Sequence, residues 1–163
     1  MSPAGIPHNR IQRNLSGILW KYLRGKRCEM FFETKVIFDE ENHLIPDLLI
    51  VCDPRKIKRV CIEGVPDFVV EILSTATRRR DVGEKKRIYE RFGVKEYWII
   101  DPISKTIDVY KLKDGRYELD NSYHAYDEES LCEIPPEDRF EVVMTLKLSL
   151  YDDFEIAIKD IFE

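Results

Sequence analysis

The sequence predicts a mixed α/β domain, and three features of its patterning carry that prediction. Apolar residues recur at three-to-four spacing before residue 26 and again after residue 81, the period of a half-buried helix. Short, almost unbroken apolar runs at 46–51, 68–73 and 97–100 read as strands buried on both faces. An Asp114-Gly115 step between two strand-like segments marks a β-hairpin. The order helix, strands, helix, strands and short closing helix suits one domain spanning residues 1–163.

The elements follow in order. His8 to Lys26 reads as an amphipathic helix through Ile11, Leu15, Ile18, Leu19, Tyr22 and Leu23, with Gly25 at its end as a left-handed cap. Phe31 to Phe38 reads as a strand, and Asp39 to Asn42 as the turn after it. Pro46 to Val51 is a buried strand, and Asp53 to Gly64 a polar, basic connection. Phe68 to Leu73 is a second buried strand, followed by a loop over Ser74 to Arg80. Asp81 to Phe92 is expected to be a helix with Val82, Ile88, Tyr89 and Phe92 facing the core, closed by Gly93. Tyr97 to Ile100 is a third buried strand, and Thr106–Leu112 and Tyr117–Leu119 form the hairpin. Residues 120–140 are expected to be acidic loop, Val142 to Leu150 a strand and Asp153 to Phe162 a helix.

Bulk properties exclude several classes. With 44% hydrophobic and 35% charged residues, the chain is neither disordered nor membrane-embedded, and no apolar run approaches the ~20 residues that span a bilayer. The first residues lack a basic and apolar leader, so a cytoplasmic location is expected. Cys28, Cys52, Cys61 and Cys132 show no CxxC pair and are expected to be four free thiols. Net charge is −5, but it is unevenly spread. Residues 1–113 carry 22 Lys+Arg against 16 Asp+Glu, whereas residues 114–163 carry 4 against 15. The basic excess lies at Arg55–Arg59, Arg78–Arg80 and Lys85–Arg91, which is either a footprint for phosphate backbone or an ordinary solvated surface.

Chemistry concentrates near the apolar strands. Asp47 heads the first, after Pro46, where an aspartate serves a turn or a site. Glu71 lies inside Phe68-Val69-Val70-Glu71-Ile72-Leu73, where a carboxylate is costly to bury without a cation, a metal or strong hydrogen bonds. Its bland alternative is an ion pair with an arginine of Arg78–Arg80. Asp81, Lys85 and Tyr89 share one helix face, a pattern also met in i,i+4 pairs worth only ~0.3–0.5 kcal/mol. Two acidic residues from neighbouring strands with a nearby lysine can hold a divalent metal and a phosphate. His8, His43 and His124 are far apart in sequence, and no HExxH, GxSxG, Walker A or GxGxxG pattern is present.

Together, Pro46-Asp47, Pro66 to Ser74, Thr77 to Asp81 with Lys85 and Tyr89, and Gly93 to Pro102 resemble the Uma-type restriction endonucleases of the PD-(D/E)XK nuclease superfamily. The resemblance runs from about His8 to the C-terminus and is most specific over 66–102. It implies a restriction-endonuclease-like core, a central mixed β-sheet flanked by helices. It makes Asp47 the PD aspartate and Glu71 the acidic residue of (D/E)XK. Leu73 stands where that motif's lysine belongs, and Lys85 on the following helix takes its place. Ser74-Thr75-Ala76-Thr77 lacks the proline of the family's Ser-Pro-Ser-Thr stretch.

The function so implied is metal-dependent hydrolysis of phosphodiester bonds, with DNA as substrate and a homodimer as the assembly. Asp47, Glu71 and the backbone carbonyl of Ile72 would hold Mg2+ or Mn2+, and Lys85 would orient the nucleophile or stabilise the transition state. Arg78, Arg79, Arg80 and Lys86 would grip the nucleic-acid backbone, with His8, Asp81 and Tyr89 as supporting residues. The rival reading is an inactive nuclease-fold module that binds nucleic acid or a protein partner. A third is an adaptor acting through the acidic 114–163 half.

Overall fold

The computed structural model describes residues 5–74, 78 and 81–163, with Asp81 described in its backbone alone. Arg79, Arg80, the side chain of Asp81 and most of the expected 74–80 loop lie outside the described residues.

Helix α1 (Ile6–Leu23) begins with Pro7 in its first turn, where a missing N–H costs nothing. Its buried stripe is His8, Ile11, Leu15, Leu19 and Leu23, so the expected periodicity is present and ends three residues early. Strands β1 (Glu29–Phe32), β4 (Leu48–Val51), β6 (Phe68–Ile72), β7 (Glu96–Asp101), β8 (Thr106–Lys113) and β9 (Arg116–His124) form one six-stranded sheet in the order β1-β4-β6-β7-β8-β9. Only β6 and β7 are parallel, so the sheet is mixed. They are joined by a π-helical turn over Asp81–Lys85 and helix α2 (Lys86–Phe92), which stops at Gly93 in the left-handed region with φ 86°.

Alternation divides the core. Leu48, Ile50, Phe68, Val70, Ile72, Trp98 and Ile100 pack under α1 and the C-terminal elements. Leu49, Val51, Val69, Leu73, Tyr97 and Ile99 pack with Tyr89 of α2 on the other face. Both faces of β4, β6 and β7 are therefore covered, which is why those strands read as unbroken apolar runs.

Several expectations are corrected. The Phe31–Phe38 strand is two strands in two sheets. Glu33 turns the chain at φ 46°, and β2 (Val36–Ile37) leaves to join β3 (His43–Leu44) and β5 (Ile62–Glu63). Residues 120–140 are not all loop. β9 runs to His124, and helix α3 (Glu128–Glu133) follows a capping box in which the Asp127 carboxylate accepts from Ser130 N–H and Ser130 Oγ from Asp127 N–H. The late strand is only β10 (Thr145–Lys147). The expected closing helix opens as strand β11 (Glu155–Ala157), because Ile156 pairs opposite Leu146, and only α4 (Ile158–Phe162) is helical. Val82 is 44% exposed and not a core contact.

The four free thiols are also corrected: Cys28 and Cys52 form a disulfide, and Cys61 and Cys132 are free. The β1–β4 register pairs Glu29 with Val51, and one step further sets Cys28 opposite Cys52. No described helix is long and apolar enough to cross a membrane.

Candidate active site

Strand register builds the site. β4 and β6 pair Leu48 with Val70, and continuing one residue sets Asp47 opposite Glu71. Directly opposed residues place their Cβ atoms about 4.5–5.5 Å apart on one face, so two carboxylates distant in sequence become neighbours. Continuing the β1–β4 register likewise sets Glu33 opposite Asp47, whose carbonyl accepts from Glu33 N–H at 3.2 Å. One row of acidic residues thus crosses β1, β4 and β6.

Each carboxylate is held by named groups. Asp47 Oδ2 accepts from Ile72 N–H at 2.6 Å, and Asp47 Oδ1 lies 3.2 Å from His8 Nε2. A carboxylate cannot donate here, so Nε2 carries the hydrogen. The bond to Asp47 raises the His8 pKa above its ordinary value, against the opposing effect of burial. Glu71 is 1% exposed. Its Oε2 takes Lys85 Nζ at 2.8 Å and its Oε1 takes the Tyr89 hydroxyl at 2.6 Å. Lys85 ends the π-helical turn and Tyr89 stands one helical turn on, so the shared face read from the sequence is turned onto β6.

The structure therefore brings together Asp47, Glu71, Ile72, Lys85, Tyr89 and His8. It carries two others elsewhere. Arg78 is bound at 2.6 Å to Asp101, and Lys86 Nζ lies 3.4 Å above the Tyr110 ring; Arg79 and Arg80, the other arginines weighed as ion-pair partners of Glu71, lie outside the described residues. Burial lowers the Lys86 pKa despite Glu90 and Asp108 nearby. Gln12 and Glu33 were not foreseen. Gln12 Nε2 donates to Glu33 Oε1 at 3.2 Å and to the Asp47 carbonyl at 3.3 Å. No signal in the sequence marked Glu33, which fell inside the expected Phe31–Phe38 strand, and none marked Gln12 beyond its lying four residues after His8.

Among the described residues, no group of three or more His, Cys, Asp or Glu is arranged to hold a metal. Asp47 and Glu71, with the Ile72 carbonyl expected beside them, would offer an all-oxygen donor set. That set fits Mg2+, which takes one or two protein carboxylates and completes its shell with water and substrate phosphate.

A mixed sheet flanked by helices, with an acidic pair at one end of its central strands, defines a restriction-endonuclease-like core. Residues 1–146 match the Uma2 family, described as "Putative restriction endonuclease", and the chain belongs to that family. A crystal structure of a "putative nuclease belonging to DUF820" from Anabaena variabilis superposes with a TM-score of 0.72 at 21% identity, over 99% of this chain and 83% of that one. At that identity the likeness speaks for the fold. An uncharacterized protein of Synechocystis sp. is 32% identical over 123 residues, 74% of this chain. The match spans 65% of that relative's length.

Proposed function

We propose that this protein is a metal-dependent nuclease that hydrolyses phosphodiester bonds in DNA, acting in the cytoplasm as a homodimer. The observation that carries the reading is the opposition of Asp47 and Glu71 across β4 and β6, with Lys85 Nζ 2.8 Å from Glu71 Oε2. Asp47, Glu71 and the Ile72 carbonyl would hold Mg2+ or Mn2+. A divalent cation there supplies Lewis-acid charge at the scissile phosphate and a water of lowered pKa.

The chain's own groups do the rest. Ile72 N–H and His8 Nε2–H each engage one oxygen of Asp47 and fix the plane of that carboxylate. Tyr89 does the same for Glu71. Lys85 offsets the buried charge of Glu71 and presents a cation where the pentacovalent phosphate gathers negative charge. Preorganised groups of this kind are worth about 10²–10³ in rate. The engagement of both Glu71 oxygens is also what the rival reading, an inactive nucleic-acid-binding module, would show.

Calorimetric titration of Mg2+ and Mn2+ separates the two. Asp47→Asn retains an oxygen acceptor for Ile72 N–H while removing the charge, so the fold is expected to survive. Metal binding and DNA cleavage are expected in the wild type and lost in Asp47→Asn. Metal binding unchanged by that substitution would overturn the assignment.

A further inference from the structure

The first acidic residue of the chain is Glu29, and before it stand Arg10, Arg13, Lys21, Arg24, Lys26 and Arg27. Four of these belong to one surface. Arg10, Arg13, Gly17, Lys21 and Arg24 follow one another at steps of three and four, so they form a single stripe along α1. Arg10, Arg13, Lys21 and Arg24 are all exposed, and none forms an ion pair with a described residue. Arg24 lies 5.0 Å from the ring of Trp20, itself 59% exposed.

The stripe has a floor as well as charges. Gly17 sits at its middle, and a Cβ built there meets nothing within 4 Å. Around it runs an open groove of about 370 Å3 lined by Arg13, Asn14, Gly17, Ile18, Lys21 and a single carboxylate, Asp160. From residue 10 to residue 24 the stripe is about 21 Å long at the helical rise. The opposite side of the same helix carries His8 and Gln12 to Asp47, so the stripe leads away from the acidic pair.

We propose that the outer face of α1 is a track for the nucleic-acid backbone, with Arg10, Arg13, Lys21 and Arg24 holding successive phosphates. The glycine lets a strand approach the helix closely, and Trp20 offers a ring against a sugar or base. This rests on the nuclease reading and adds to it a grip on substrate. An anionic membrane is the weaker occupant. The apolar stripe of α1 (Ile11, Leu15, Leu19 and Leu23) is at most 6% exposed, and the large apolar residues the helix does expose, Ile6 and Trp20, stand at opposite ends of it and make no continuous apolar face.

The test is fluorescence anisotropy of a labelled DNA duplex and of its single strand, across salt concentrations in EDTA, so that binding is measured without cleavage. The variants are the quadruple Arg10→Ala, Arg13→Ala, Lys21→Ala, Arg24→Ala and the single Gly17→Glu. The second sets a carboxylate between Arg13 and Lys21 in open space, with folding checked by circular dichroism. The log–log salt slope for duplex is expected to fall by about 3.6 in the quadruple variant, near 0.9 per lost phosphate contact, and binding to weaken in both. An unchanged slope in a folded quadruple variant overturns the track. If that variant still cleaves DNA, the nuclease reading stands without it. Wild type that binds no DNA overturns the track, and the nuclease reading is then decided by cleavage with Mg2+ restored. Wild type that binds phosphatidylserine vesicles through these residues, with DNA binding unaffected by their loss, assigns the face to membrane and overturns the proposal.

Discussion

Along the outer face of α1 the cations stand in solvent with no ion-pair partner among the described residues, whereas each described cation between residues 78 and 86 is engaged across the fold. Arg78 is on Asp101, Lys85 on Glu71 and Lys86 above Tyr110. The engaged segment carries the denser charge in the sequence, and it first attracts the eye as a nucleic-acid footprint. The difference teaches that a cation is available to a ligand only after its neighbours' carboxylates have been counted. The described cations of the 78–86 segment border Glu71, Asp101 and Tyr110 and are engaged with the protein itself. Helix α1 has no acidic residue, so its charge faces outward.

The comparison is broken most severely at Lys85. Lys85→Ala leaves Glu71 buried without its ammonium partner and should cost about 3–5 kcal/mol, read by urea unfolding. The double variant Glu71→Gln, Lys85→Met removes both charges and should recover most of that loss, since contacting residues couple. A Lys85→Ala protein as stable as the wild type would show that the pair is not the engaged one described.

Gly17→Ala acts in the opposite direction. The site is a helix interior with open space around the added methyl, so stability should rise by about 0.5–1 kcal/mol. A lower melting temperature would contradict the open groove.

Arg78→Ala tests a half-exposed pair and should cost only about 0.2–1 kcal/mol at neutral pH. Its pH dependence sharpens the point. Burial pushes the Asp101 carboxyl upward, but Arg78 and the N–H groups of Ile103 and Ser104 outweigh it and hold its pKa below the ordinary value. A depressed carboxylate stabilises the fold above its unfolded pKa and loses that contribution as pH falls through the folded one. The cost of Arg78→Ala should therefore shrink on acidification below the usual carboxylate range. A cost that stays constant there would place Arg78's contribution elsewhere.

The smallest effect is expected on α1. Arg13→Ala should change stability by no more than about 0.5 kcal/mol, because only the neighbouring Asn14 side chain receives its hydrogen bonds. A larger loss by thermal unfolding would mean that the stripe is engaged after all.

Asp47, Glu71 and Lys85 were legible because a charged residue within or beside an apolar strand demands an explanation, and helix periodicity set Lys85 with Tyr89. The central strands were legible for the same reason, being apolar on both faces. What escaped was pairing. Nothing local announces that Cys28 lies opposite Cys52, or Glu33 opposite Asp47, because register is a property of two segments at once. Glu33 in a left-handed conformation also hid the break between β1 and β2, since a glutamate is not a residue that signals such a turn. At the C-terminus, apolar spacing in 153–162 suited helix locally, but β10 was available to claim Ile156.

The opposition of Asp47 and Glu71 arises from one strand pairing between segments more than twenty residues apart. Before those strands meet, during synthesis or after unfolding, the two carboxylates are unrelated groups on a flexible chain. On the nuclease reading proposed above, catalytic competence and native topology would share a single event. On that reading a nascent or misfolded chain, in which that pairing is absent, would be inactive with no inhibitor required to keep it so.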